Sequence, residues 1–360
     1  MKRITRAVIL RYLVIGIILP FLIQYVFYFR FTGNYMINVF SEKGFSTFYG
    51  TNVFRYRVVG RSLHLWLYHK LESNPKIKSM KENASYDKRL TALDEEADNT
   101  FYLTYFITAT IFTIFTALAL LYLFDTARLF EMTDSRKIFI TSALLLLIGF
   151  TQFVITPYDN IGYFLLVATG LLFVKFLQTR HWAWLVLLNI AIILSTLNRE
   201  SALVSLSFMA AIYFSHYGFN FRWVRFMIIP VACYLLTWIG LRLYFNDGGP
   251  GMVTEGLKFW RNLDIRQASN MMGFLFAIVT FYFVLNIADK PVNRRLVWNF
   301  LLLASPYILM IPVIGIMIEL RLWMPIIMGS VLLSQLNFAA IKFPGNAGQP
   351  GKAGVFAAIS

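Results

Sequence analysis

Ten apolar stretches recur along this chain of 360 residues, at 7–29, 101–124, 138–156, 161–177, 182–197, 202–216, 226–245, 269–287, 296–318 and 322–341. A helix needs roughly 20 apolar residues to cross the hydrocarbon of a bilayer. Most of the stretches approach that length, and 202–216 falls furthest short. Inside lipid the backbone must satisfy its own polar groups, so each stretch is expected to be a helix. The fold class read from this pattern is all-α: a polytopic transmembrane bundle of about ten spans occupying residues 1–341. Composition agrees, with 58% hydrophobic and 14% charged residues, where soluble domains carry about 25% charged. The start, Met1-Lys-Arg-Ile-Thr-Arg6, has the look of a secretion signal. The run behind it is long, lacks a small-residue cleavage site and ends in Phe29-Arg-Phe31, so it reads as a retained first span. The tail 342–360, with Pro344-Gly-Asn-Ala-Gly-Gln-Pro-Gly351, reads as disordered and cytoplasmic.

The basic N-terminus orients the chain. With ten spans and both termini inside, the inner segments hold 14 Lys and Arg, against five in the short outer loops: Arg199, Lys258, Arg261, Arg266 and Arg321. That asymmetry is the positive-inside signature and gives an inner-membrane, multi-pass protein. The net charge of +15, which in a soluble protein would point to nucleic acid, is here assigned in part to loops facing anionic lipid. The acids show the opposite bias. Only Asp125, Glu131, Asp134 and Asp289 of the 18 fall inside, and none lies in the middle of a predicted span. Ion pumps and proton relays need acids at mid-membrane depth, so that class is disfavoured.

The outer loop 30–100 is the one sizeable stretch outside the predicted spans. Residues 52–71 mix apolar, aromatic and basic side chains, which predicts an interfacial helix with Arg55, Arg57 and Arg61 near lipid headgroups. The run Asp94-Glu-Glu-Ala-Asp98 offers oxygen ligands that would suit a divalent cation. The commoner reading of such a run is a solvated face, and no metal residue is assigned. The histidines show no zinc spacing. The single Cys233 allows no intrachain disulfide, and no nucleotide-binding or nucleophile-elbow motif is present.

Three outer hairpin turns carry charge: Thr156-Pro-Tyr-Asp-Asn160, Asn198-Arg-Glu-Ser201 and Glu319-Leu-Arg321. Each has a plain structural reading, because Asp, Asn and Ser are ordinary turn and cap residues and Pro157 supports a turn. Their recurrence on one face argues for more. A turn gains polarity cheaply from Ser or Gly, whereas a charge drawn away from water costs several kcal/mol unless it is paired. Arginines there would suit phosphate or pyrophosphate, and a nearby carboxylate would suit general-base work on a hydroxyl. Catalytic candidates are Glu42, Asp159 and Glu200. Substrate-binding candidates are Arg57, Arg61, Tyr158, Asn198, Arg199, Glu319 and Arg321.

A first span, a long outer loop with interfacial helices and then a bundle with short loops resembles the GT-C superfamily of membrane glycosyltransferases. Tyr56-Arg57, Tyr158-Asp159, Asn198-Arg-Glu-Ser201 and Glu319-Leu-Arg321 are similar to patterns in bacterial members and in polysaccharide-assembly proteins. The resemblance covers most of the chain in layout and only these short motifs in sequence. It implies a polyprenyl-phosphate sugar donor at the outer leaflet and a base in the first outer loop, a role that falls by position to Glu42. It also implies a place in cell-envelope glycan or glycolipid assembly. Three other classes stay open on the sequence: a polysaccharide polymerase or ligase, a transporter of an anionic lipid or small solute, and a non-catalytic assembly protein.

Overall fold

In the computed structural model, residues 6–30, 39–51, 53–75, 98–126, 129–130, 132–220, 223–245, 258–264, 266–341 and 343 are described. All ten predicted apolar segments are helical. The order is α1 (Arg6–Phe29), α2 (Glu42–Thr51), α3 (Val58–Glu72), α4 (Asn99–Asp125), α5 (Asp134–Thr151), α6 (Asp159–Thr179), α7 (Trp182–Asn198) and α8 (Ala202–Tyr217). After these come α9 (Val224–Tyr244), α10 (Phe259–Leu263), α11 (Ala268–Asn286), α12 (Pro291–Leu303), α13 (Ser305–Ile314) and α14 (Leu320–Ser334). Among the described residues there is no β-strand, only one isolated bridge between Phe130 and Leu336. The expected disorder of the tail lies almost wholly outside the described residues, as do Asp94–Ala97 of the acidic run.

Among the described residues, five helices are long and apolar enough to cross a membrane: α1, α4, α6, α9 and α11. The pair α12–α13 makes a sixth if its 53° bend is one broken span. Pro306 explains the break, because a proline at the start of α13 lacks the N–H that would continue the ladder from α12. The predicted single span 296–318 is therefore two helices. The surface supports a lipid solvent. On α9 only Met227 and Pro230 are buried, while Leu236 and Leu243 stand 71% and 74% exposed. So large an apolar face suits hydrocarbon and would drive aggregation in water.

Helix packing places the chain's polar ends in two groups. At one end, Arg11 of α1 is buried and bonds Asp125 at the end of α4, and it reaches Asp134 at the start of α5 at 2.7 Å. Lys137 bonds the same two carboxylates at 2.7 and 3.3 Å, and the Tyr12 hydroxyl donates to Asp125. Arg136 pairs with Asp289, and Asn293 donates to the Ser334 carbonyl. Arg11 sits inside the first predicted span, so its charge requires these partners. At the other end lie the N-termini of α6, α8 and α14 and the C-terminus of α7.

The predicted interfacial helix is a 3₁₀ turn, Val53–Tyr56, followed by α3. Together with α2 it forms an aromatic unit against the start of α4, packed from Phe45, Tyr49, Tyr68, Phe101 and Tyr105. His64 is fully buried there. Its ring stacks on Phe45 at 5.0 Å and lies 4.0 Å from the Tyr105 ring, and neither ring nitrogen has a hydrogen-bond partner. Burial pushes its pKa down to about 3, so it is neutral in the folded protein. Gly60 fixes how α3 meets the bundle. A β-carbon at that position would lie 2.7 Å from Tyr158 Cβ and 2.8 Å from the Pro157 carbonyl oxygen.

Candidate functional site

Local chemistry brings three turns to one point. Pro157 shapes the turn before α6, and the Asp159 amide donates to Thr156 Oγ1 at 3.3 Å. Asp159 is then the first residue of α6, where the exposed amides of the helix start favour a negative charge. Glu200 and Glu319 stand likewise just before α8 and α14. Arg199 caps the C-terminus of α7 in an extended conformation, which lets its side chain reach across to α6. Asn198 ties the two turns together, its Nδ2 donating to the Tyr158 carbonyl at 2.9 Å.

The ion pairs interlock. Arg199 bonds Asp159 directly, and both side chains are buried. Arg321 Nη1 lies 3.5 Å from the other Asp159 oxygen, and its Nη2 is 2.8 Å from Glu319. Arg57 comes from the outer segment just before α3. Its Nη2 is 3.1 Å from Glu200 Oε2, and Nε donates to the same oxygen at 3.2 Å. The Arg57 guanidinium lies 4.3 Å over the Tyr158 ring and 4.9 Å over Phe54, a stacking that fixes its plane. The expectation that Arg57 lies among lipid headgroups is not what the structure shows: the guanidinium turns inward, because Glu200 and the Tyr158 face offer it partners.

Electrostatics follow from this layout. Burial opposes ionisation of Glu200, but Arg57, its own backbone amide, Arg199 and Arg242 outweigh it and hold the carboxyl below its ordinary range. Glu200 is therefore a carboxylate at neutral pH. Burial likewise opposes the charge on Arg199, and Asp159 reverses the balance. The formal charges of Arg57, Arg199 and Arg321 are matched by Glu200, Asp159 and Glu319. A phosphate entering this cluster would have to compete with carboxylates already in place.

The remaining candidates lie at the margin. Arg61 donates to the Tyr49 carbonyl oxygen at 3.3 Å, within the aromatic unit. Glu42 begins α2 and is half exposed, with His69 Nε2 3.4 Å from its carboxylate. It is not among the carboxylates of the buried cluster. Asp98 caps α4, accepting from the Thr100 amide and the Tyr68 hydroxyl, each at 2.8 Å. Among the described residues, no three His, Cys, Asp or Glu side chains gather in a way that could hold a metal ion.

Several neighbours of the cluster were not foreseen. Tyr307 is buried and donates to the Leu322 carbonyl at 2.9 Å, and Tyr163 donates to the Arg321 carbonyl at 3.5 Å. Tyr49 packs edge-on to Tyr158 with ring centres 6.0 Å apart. Arg242, near the end of α9, stacks over Tyr56 at 3.7 Å. Tyr307 and Tyr163 fall inside apolar stretches and look like interfacial or core aromatics, so only packing reveals them. Arg242 carried a sequence signal, being one of few charges close to the end of a span.

No family model matches this chain, and neither a curated protein nor a solved structure is detectably similar to it.

Proposed function

We propose that this protein is a multi-pass membrane glycosyltransferase similar to the GT-C superfamily, transferring a sugar from a polyprenyl-phosphate donor in cell-envelope glycan or glycolipid assembly. The reading takes all ten helical segments as spans of the inner membrane, with both termini cytoplasmic and the Asp159 cluster at the outer face. One observation carries it. Glu200 is held as a carboxylate by Arg57, yet its Oε1 is buried with no hydrogen-bond partner. A buried acceptor of that kind is suited to receive the proton of an attacking hydroxyl. Asp159, engaged by Arg199 and Arg321, is suited to hold that geometry rather than to accept a proton. Glu42 remains the base that the family resemblance implies, and its exposure beside His69 makes it the weaker choice.

The test is incorporation of labelled sugar from a polyprenyl-phosphate donor by membranes containing the protein. Glu200→Gln should lower transfer at least about a hundredfold, the usual scale of a general base, with the protein still present in the membrane. Glu42→Gln should leave transfer within a few-fold. Full transfer by Glu200→Gln would sink the mechanism.

A non-catalytic assembly protein is the second reading, and the complete pairing of the three arginines favours it. On that reading Glu200→Gln lowers thermal stability and no labelled product forms from any donor.

A further inference from the structure

The same cluster leaves polar atoms without partners, and they share a chemical character. Asn198 is wholly buried, and its Oδ1 has no partner although its Nδ2 is used. The Tyr158 hydroxyl is buried and unpartnered. Glu200 Oε1 is a third such atom, and Asp159 Oδ2, approached by Arg321 Nη1 at 3.5 Å, is a fourth. The first three residues are contiguous: Asn198 bonds the Tyr158 backbone, and Arg57 bridges the Tyr158 ring and Glu200. Buried polar side-chain atoms find a partner in the large majority of cases, so Asn198 Oδ1, the Tyr158 hydroxyl and Glu200 Oε1, close together at one ion cluster, would gain from an outside hydrogen-bonding group. Two of them only accept, and the third does either.

An acceptor-rich set selects its ligand. A phosphodiester has no proton to give Asn198 Oδ1, and the negative charge of any phosphate repels the Glu200 carboxylate. Hydroxyl groups donate to both and accept from Tyr158. The ring face of Tyr158 is already covered by Arg57, so recognition falls to its edge and its hydroxyl. We propose that Glu200 Oε1, Asn198 Oδ1 and the Tyr158 hydroxyl form a subsite for the neighbouring hydroxyls of a neutral sugar. This rests on the glycosyl-transfer reading of the same cluster and adds which residues recognise the sugar ring rather than the phosphate.

Tyr158→Phe is the sharp probe. It removes an atom that makes no bond within the protein and retains the ring that Arg57 and Tyr49 pack against. The detergent-solubilised full chain is melted alone, with a panel of neutral monosaccharides and with inorganic phosphate. Tyr158→Phe alone should melt at or above the wild-type temperature, since an unsatisfied buried hydroxyl has been removed. At least one monosaccharide should raise the wild-type melting temperature, with an apparent affinity about tenfold weaker in Tyr158→Phe. Inorganic phosphate should shift neither protein. The proposal is overturned if no sugar shifts the wild type, if sugars shift both proteins equally, or if phosphate alone stabilises. Failure here is separable from failure of the transfer reaction. Sugar binding that depends on Tyr158 without label transfer removes the enzyme and retains the subsite. Label transfer at unchanged KM in Tyr158→Phe removes the subsite and retains the enzyme.

Discussion

Asp159 is the residue on which the outer cluster turns. It is buried and bonds Arg199 through one oxygen while Arg321 approaches the other. Removing one member of a buried pair leaves its partner charged and unsolvated, which costs about 3–5 kcal/mol. Asp159→Asn should therefore lower the melting temperature of the purified protein strongly, and so should Arg199→Leu. The double variant Asp159→Leu with Arg199→Leu should lose less than the sum of the single losses, because neither charge is stranded. Additive losses in a thermal-melt cycle would show that the two side chains do not interact. Arg11 poses the same problem at the opposite end, and it reaches Asp125 and Asp134 from within the first predicted span. Arg11→Leu should likewise destabilise, measured as a fall in melting temperature and in the level of folded protein in the membrane.

At the scale of elements, the docking of α3 on the Pro157–Tyr158 turn rests on Gly60. A methyl group there meets backbone rather than a flexible side-chain end, so the helix must back away. Gly60→Ala should cost about 1–3 kcal/mol, the usual range for overpacking. It should also raise protease cleavage within 52–71, since the aromatic unit loosens from the bundle. That unit should be acid-sensitive. His64 titrates near 3 when folded and near 6.5 when unfolded, so the unfolded chain binds the extra proton between those values. Stability is fully present above pH 6.5 and falls as the pH drops toward 3, by about 1.4 kcal/mol per pH unit. His64→Phe should flatten this acid limb, read as the difference between melting temperatures at pH 7 and pH 5. An acid limb unchanged in His64→Phe would assign the sensitivity to other groups.

For the whole molecule, the two polar ends define an axis. The Arg11–Asp125–Asp134–Lys137 network and the Asp159–Arg199–Arg321 cluster occupy opposite ends of α4, α5 and α6. With Cys233 replaced by Ala, Ser73→Cys should react with a membrane-impermeant thiol reagent added outside intact cells, and Arg136→Cys should react only after permeabilisation. Labelling of both from the same side would overturn the proposed orientation. The helical segments were legible in the sequence because lipid forces every apolar run to satisfy its own backbone. The break at Ser305-Pro306 carries a proline signal inside an apolar run, and hydropathy alone does not show it because it does not register a missing N–H. The candidate cluster was legible only as three charged turns. That Arg57 joins it could not be read, because Arg57 and Glu200 are 143 positions apart and meet only through packing, and the approach of Glu42 to His69 depends on how α2 packs on α3.

The sequence by itself determined that the chain is helical, that its apolar helices suit a lipid solvent, and that its charges sit near helix ends. Local rules suffice for these, since hydrophobic run length and turn chemistry act over a few residues. The tertiary structure decided which charge meets which. Pairing depends on the order and rotation of the helices, which bring Asp159, Arg199 and Arg321 from three turns into one buried cluster and leave Glu200 Oε1 without a partner. A buried charge is stable only beside its counter-charge; Glu319 and Arg321 carry theirs within one turn, whereas Asp159, Arg199, Arg57 and Glu200 find partners only on other segments.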